Sequence, residues 1–187
     1  KSDDANASAK FANAVNAGIT GSGNEEGIRQ AVNGLKCTGN PWVRQDSTVA
    51  VLIVSDEDNC SLDGADCKNQ PSASETFLEN YVEQTLGREV GKNAGFYGIF
   101  APPGEVCATR GNFAPQYKRL VDYKATSKHY ANICDLDYST TLNAISNDIA
   151  LLLKNQFELG QVPDAGSLKL TVDNVEVPAS SYSIAGK

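Results

Sequence analysis

Apolar residues recur along this chain with two different periods. Residues 4–17 are alanine-rich, with Phe11, Ala14 and Val15 spaced as on one side of a helix that Gly18 ends. A glycine-rich turn follows, and then Glu25 and Glu26, acids that suit the positive end of a helix dipole. Ile28, Ala31, Val32 and Leu35 keep helical spacing until Gly34, Gly39 and Pro41, which predict the stop. At 48–55 the pattern becomes an unbroken β-branched run, Thr-Val-Ala-Val-Leu-Ile-Val-Ser. Such a run predicts a strand buried on both faces, as in a parallel sheet. Helical spacing returns at 74–86 (Phe77, Leu78, Tyr81, Val82, Leu86), and a second buried strand is predicted at 95–101, stopped by Pro102-Pro103-Gly104. A helix at 114–126, a short strand at 129–133 and a long helix at 139–157 complete the series. Strand and helix alternate, which is the rhythm of an α/β fold. Past Pro163-Asp164-Ala165-Gly166 the period falls to two, and 168–177 predicts a β-hairpin turning at Asp173-Asn174. The expected division is an α/β domain over 1–160 and a hairpin extension over 161–187.

Composition narrows the function classes. The chain has 187 residues, 41% hydrophobic and 21% charged, which suits one globular domain with a small appendage. Its net charge of −7 would repel phosphates, so nucleic acid is excluded as a partner. No stretch approaches the roughly 18–20 apolar residues of a membrane span. The chain begins at Lys1 and contains no methionine, which predicts a piece processed from a longer product.

None of the five cysteines forms a Cys-x-x-Cys pair, which argues against a zinc knuckle or a redox pair. Cys60 and Cys67 flank a polar, glycine-containing loop that suits a local disulfide. Cys107 and Cys134 form a candidate second bridge. Cys37 is then left for a bond to another chain. Bridging implies periplasm, cell surface or medium, whereas five reduced, buried cysteines would fit a cytosolic protein.

The acidic loop after the run at 48–55 is the main candidate for chemistry. Asp56, Asp58, Asp63 and Asp66 place four carboxylates in eleven residues, at the end of a strand where open α/β sheets bind ligands. Hard divalent cations take oxygen ligands of this kind. The opening Asp-x-Asp is like that of calcium loops, but the glycine and glutamate spacing of an EF-hand is absent, and a solvated acidic loop explains the same residues. Thr20 and Ser22 add hydroxyls in a glycine-rich loop that lacks the Lys-Ser/Thr of a P-loop. The single histidine, His129, without a Gly-x-Ser-x-Gly elbow, reads as structural rather than as part of a hydrolase triad. Asp135 and Asp137 precede a helix and read as capping acids. Trp42 and Tyr97 read as packing residues.

Gly21-Ser-Gly-Asn-Glu-Glu-Gly-Ile followed by Val54-Ser55-Asp56-Glu57-Asp58-Asn59-Cys60-Ser61, with Ile133-Cys134 before the long last helix, resembles bacterial secreted von Willebrand factor type A domains. The resemblance implies a doubly wound, mainly parallel sheet of Rossmann-type topology. It also implies a metal-dependent adhesion site in which Asp56 matches the third-loop aspartate and Thr20 or Ser22 the second-loop hydroxyl. The family's Asp-x-Ser-x-Ser element and first strand are missing from this chain. The run at 48–55 would then need a neighbour. Burying its five large apolar side chains is worth about 8–15 kcal/mol, as much as the whole stability of a domain. The expectation is a non-enzymatic, extracytoplasmic adhesion or protein-interaction module using Mg²⁺ or Ca²⁺. Another chain, or the cleaved N-terminal part of its precursor, would complete the sheet, unless the tail strands fill the gap. The alternative is a structural subunit of a surface filament or multi-chain assembly whose metal only stabilises.

Overall fold

The computed structural model describes residues 5–15, 24–36, 43–45, 47–108, 110–125, 127–153, 159–161, 163–164, 166, 168–172 and 174–182. The chain divides into two compact units, Lys1–Leu153 and Lys154–Lys187.

The first unit is α/β. Helices α1 (Ala7–Val15) and α2 (Gly27–Lys36) precede strand β1 (Val49–Val54). Helix α3 (Thr76–Asn80), strand β2 (Ala94–Phe100), helix α4 (Pro115–Asp122), strand β3 (Tyr130–Asn132) and helix α5 (Ser139–Leu152) follow. The strands are parallel and ordered β1-β2-β3, with Val49 opposite Ala94, Val54 opposite Ile99 and Ile99 opposite Ala131. One face carries the core. Ile28, Val32 and Leu35 of α2, Leu78 of α3 and Tyr117, Leu120 and Val121 of α4 pack on Val49, Ile53, Phe96 and Phe100. β2 is buried along its whole length.

Several boundaries depart from the sequence reading. α2 runs through Gly34, where the packing of Ile28, Val32 and Leu35 outweighs the roughly 1 kcal/mol that a helical glycine costs. The helix expected at 74–86 begins at Thr76 and widens into a π-type turn over Tyr81–Thr85, where Leu86 N–H reaches back to Tyr81 O. The helix expected to reach 126 ends at Asp122, and Lys124 takes a left-handed φ of 54°. The last long helix ends at Leu152, and residues 154–158 lie outside the described residues.

The largest departure concerns β1. Its side chains alternate between core and solvent, and Leu52 is 44% and Val54 61% exposed. Only β2 pairs with it; among the described residues its other margin has no strand. A β-branched run signals a half-buried strand as readily as a fully buried one, because the propensity reflects fit to a pleated surface. The approach to β1 is fixed by Arg88, a buried guanidinium that donates to the carbonyls of Ser47, Leu86 and Arg44 at 2.7–2.8 Å.

In the second unit, β4 (Thr171–Val172) and β5 (Val175–Glu176) form an antiparallel pair, the expected hairpin, with Asn174 in the left-handed region at φ 65°.

Candidate functional site

The chain leaves β1 into the acidic loop, and two adjacent side chains there organise the surrounding helices. Asp58 and Asn59 are both 0% exposed. Asp58 accepts from the backbone N–H groups of Gln116 (3.1 Å) and Tyr117 (3.4 Å), so it caps α4, whose first turn begins at Pro115. Asn59 Oδ1 accepts from Ile28 N–H at 3.1 Å, at the start of α2. Its amide group donates to Ser72 O and to Gln116 Oε1, each at 2.8 Å, and Gln116 in turn donates to Ala73 O. The hydroxyl of Tyr117 accepts from Gly27 N–H, so the two helix starts are also linked directly. Burial pushes the Asp58 carboxyl up to about 6, against the opposing pull of the N–H groups of Gln116 and Tyr117.

The loop backbone is strained. Cys60, Ser61 and Asp63 take positive φ angles of 54°, 44° and 60°, in a region that costs non-glycine residues on the order of 1–3 kcal/mol each. Gly64 follows at φ 85°, and a side chain there would meet Ala73 O at 2.6 Å. Two features hold the loop in this shape. The Cys60–Cys67 disulfide closes it, and Asp63 pairs with Arg119 of α4 (2.6 Å), which also binds Glu75 (2.7 Å). A second disulfide, Cys107–Cys134, joins the loops after β2 and β3.

The structure therefore distributes the carboxylates read as cation ligands. Asp56 is exposed, and its carbonyl accepts from Gly111 and Asn112. Asp58 is a buried cap, Asp63 is ion-paired, and Asp66 is exposed. No three of them bring oxygens together into one cation site among the described residues. Thr20, Ser22 and Cys37 lie outside the described residues. One potential ligand group does assemble. Glu26, Cys60 and Cys67 place their donor atoms within 4.8 Å of one another. Bridged sulfurs carry no thiolate, so these three residues could share an ion only after the Cys60–Cys67 bond is reduced.

Asp137 binds the backbone and hydroxyl of Ser139 (2.8 and 2.9 Å) at the start of α5, a local capping role. Sequence reasoning missed Asn59 and Gln116. For the first turn of α4, where Gln116 lies, the available signal was Pro115, which marks a helix start whose N–H groups need an acceptor from elsewhere in the chain.

The second feature of the site is the open margin of β1. Val49 donates to the carbonyl of Asn93, just before β2, and Ser55 to that of Ile99 in β2, so the alternation of a parallel ladder turns the N–H and C=O groups of Ala50, Leu52 and Val54 outward. Their side chains lie on the sheet face opposite the core. There, α5 covers β2 through a hydrogen bond from Tyr97 to Asp148, while Leu52 and Val54 stay exposed. The end of α5 reaches the start of β1, where Thr48 Oγ1 donates to Leu152 O, and the adjacent Leu151 and Leu153 are also exposed.

Compared with family models, curated proteins and solved structures, the chain matches none. Two disulfides suit an oxidising, extracytoplasmic environment. No helix among the described residues is long and apolar enough to cross a membrane.

Proposed function

We propose that the chain is a non-enzymatic, extracytoplasmic protein-interaction module of von Willebrand A-like type, completed at β1 by an extended apolar polypeptide segment that adds a parallel strand. The observation that carries this reading is the margin of β1: outward-facing backbone groups at Ala50, Leu52 and Val54 beside the exposed side chains of Leu52 and Val54. An unpaired, apolar edge strand is a template for another strand. The strand order supports it. Three parallel strands laid down in sequence order form one half of a doubly wound sheet, and the other half would start at β1. The loop after β1 then sits at the switch point between the halves, where such sheets bind ligands. In the finer form of the reading, the exposed Asp56 carboxylate holds Mg²⁺ or Ca²⁺ at that point and a partner's acid completes the shell.

Amide hydrogen exchange tests the completion. In native assembled material, Ala50, Leu52 and Val54 exchange at least tenfold more slowly than in the chain alone. Equal rates in the two preparations overturn the reading. Non-reducing mass spectrometry of the same material separates a segment of the precursor from a distinct subunit. Cation titration of the assembly against Asp56→Ala tests the metal, and unchanged affinity removes Asp56 from it.

A further inference from the structure

The loop after β1 gathers further donor atoms around its disulfide. Cys60 and Cys67 are fully buried. Cys67 Sγ lies 3.5 Å from Glu26 Oε1 and 3.9 Å from Asn24 Oδ1. A bridged sulfur has no hydrogen to give, so in the disulfide both oxygens face it without a hydrogen bond. Glu26 is fixed in this position. Its side chain is 11% exposed, and its other oxygen, Oε2, pairs with Arg29 of α2. The backbone N–H of Cys60 donates to the carbonyl of Glu25, which ties the loop to the residue before Glu26. Asn59 Nδ2 stands 3.5 Å from Cys60 Sγ on the other side.

We propose that Cys60, Cys67 and Glu26 bind a zinc-class divalent ion when the bridge is open, so that metal closes this loop in the reduced chain and the disulfide closes it in the oxidised one. The two Sγ atoms and the carboxylate oxygen already lie within 4.8 Å of one another. Two thiolates with a carboxylate are ligands that zinc takes in tetrahedral sites, whereas calcium and magnesium take oxygen. Asn24 Oδ1 or a water fills the fourth position. Arg29 orients the Glu26 carboxylate from behind and offsets part of the negative charge that three anionic ligands bring together. The two states exclude each other, because a disulfide sulfur is not a thiolate. A chain made in a reducing compartment has the two thiols before it has the bridge, and zinc displaces their two protons as it binds. A disulfide-class oxidant then takes two electrons from the thiolates and two protons from solvent and becomes a dithiol. The Cys60–Cys67 bond forms and the ion leaves. In both states the loop is held beside Asp58 and Asn59, which seat α4 and α2. None of this depends on how β1 is completed.

The test uses the full, tag-free chain, reduced with a dithiol under denaturant and desalted into buffer without oxygen. Zn²⁺ slows alkylation of Cys60 and Cys67 at least tenfold, read peptide by peptide in mass spectrometry, and Ca²⁺ and Mg²⁺ do not. Co²⁺ gives thiolate charge-transfer and tetrahedral d–d absorption. Competition against a chromophoric chelator measures affinity. Glu26→Gln, which keeps the size of the side chain, weakens Zn²⁺ at least tenfold, and Cys60→Ser with Cys67→Ser abolishes the Co²⁺ spectrum of this site. The proposal is overturned if Zn²⁺ slows Cys60 and Cys67 no more than Cys107 and Cys134, or if either variant binds Zn²⁺ as tightly as the reduced wild type. The alkylation readout needs no substitution, so it decides the matter even where the double variant fails to fold.

Discussion

The side-chain amide of Asn59 donates to the side-chain oxygen of Gln116 at 2.8 Å, joining the loop after β1 to the first turn of α4 across 57 residues of sequence. The same amide holds Ser72, and its oxygen holds the start of α2. One buried side chain thus sets the position of two helices and of the strained loop between them. Asn59→Ala leaves Ile28 N–H, Ser72 O and Gln116 Oε1 unpaired, with an expected loss of about 3 kcal/mol in chemical denaturation. Asn59→Asp keeps the acceptor but removes both donors, and sets a second acid beside Asp58. It is expected to be more stable relative to wild type near pH 4 than at pH 7.

Asp58 gives a pH dependence of unusual sign. Its folded pKa of about 6 exceeds the ordinary 3.8, so between these values the folded state binds more protons than the unfolded one. Its contribution is therefore greatest below about pH 4 and is lost as pH rises through 6, by about 2–3 kcal/mol. Asp58→Asn retains an acceptor for Gln116 N–H and flattens this part of the profile. Thermal melts of the two proteins between pH 4 and 7 measure the difference. A difference that grows in the opposite direction contradicts the assignment.

The two disulfides close loops of different length, with sequence separations of 7 and 27. Chain-entropy reasoning assigns about 2.5 kcal/mol to the first and about 3.6 kcal/mol to the second. Replacing Cys107 and Cys134 by serine should therefore lower the melting temperature more than replacing Cys60 and Cys67, unless release of the strained loop adds to the latter. Reductant should lower the wild type further than either pair alone.

Glycines at two positions separate conformational need from tolerance. Gly64 has a positive φ and no space, so Gly64→Ala is expected to cost about 2 kcal/mol or more. Gly34 lies inside α2 with nothing within 4 Å of an added methyl, so Gly34→Ala should stabilise by about 0.5–1 kcal/mol. Paired denaturation curves compare the two.

At the open margin, Val54→Lys changes the stability of the isolated chain by less than about 0.5 kcal/mol, because the side chain already faces water. The same substitution should abolish slow exchange of Ala50, Leu52 and Val54 in the assembled material. Loss of stability in the isolated chain would show that Val54 is packed, not free.

The α/β alternation and all three strands of the sheet were legible in the hydrophobic pattern, because Thr-Val-Ala-Val-Leu-Ile-Val-Ser and Gly-Phe-Tyr-Gly-Ile-Phe-Ala have no competing helical period. Cys60 with Cys67 was legible from local spacing, since eight residues around a glycine close easily. The exposure of Leu52 and Val54 was not, because apolar content does not report which neighbours are present. Nor was the role of Asp58. An aspartate bound to N–H groups 58 residues away looks identical, in sequence, to one awaiting a cation. Asn59 carried no signal at all, since Ile28, Ser72 and Gln116, which it joins, come from three separate segments.

Among the described residues no strand pairs with the outer side of β1, and that ladder would dictate a grammar for any strand that joined it. Groups on one side of an extended chain repeat every second residue, about 6.6–6.8 Å apart. An incoming strand must therefore offer a hydrogen at alternate positions and tolerates proline only at the intervening ones. A shift of one residue would swap those positions and turn its greasy side chains away from Leu52 and Val54. Under the proposed completion, the margin would discriminate among segments by where prolines fall, before any side chain is read.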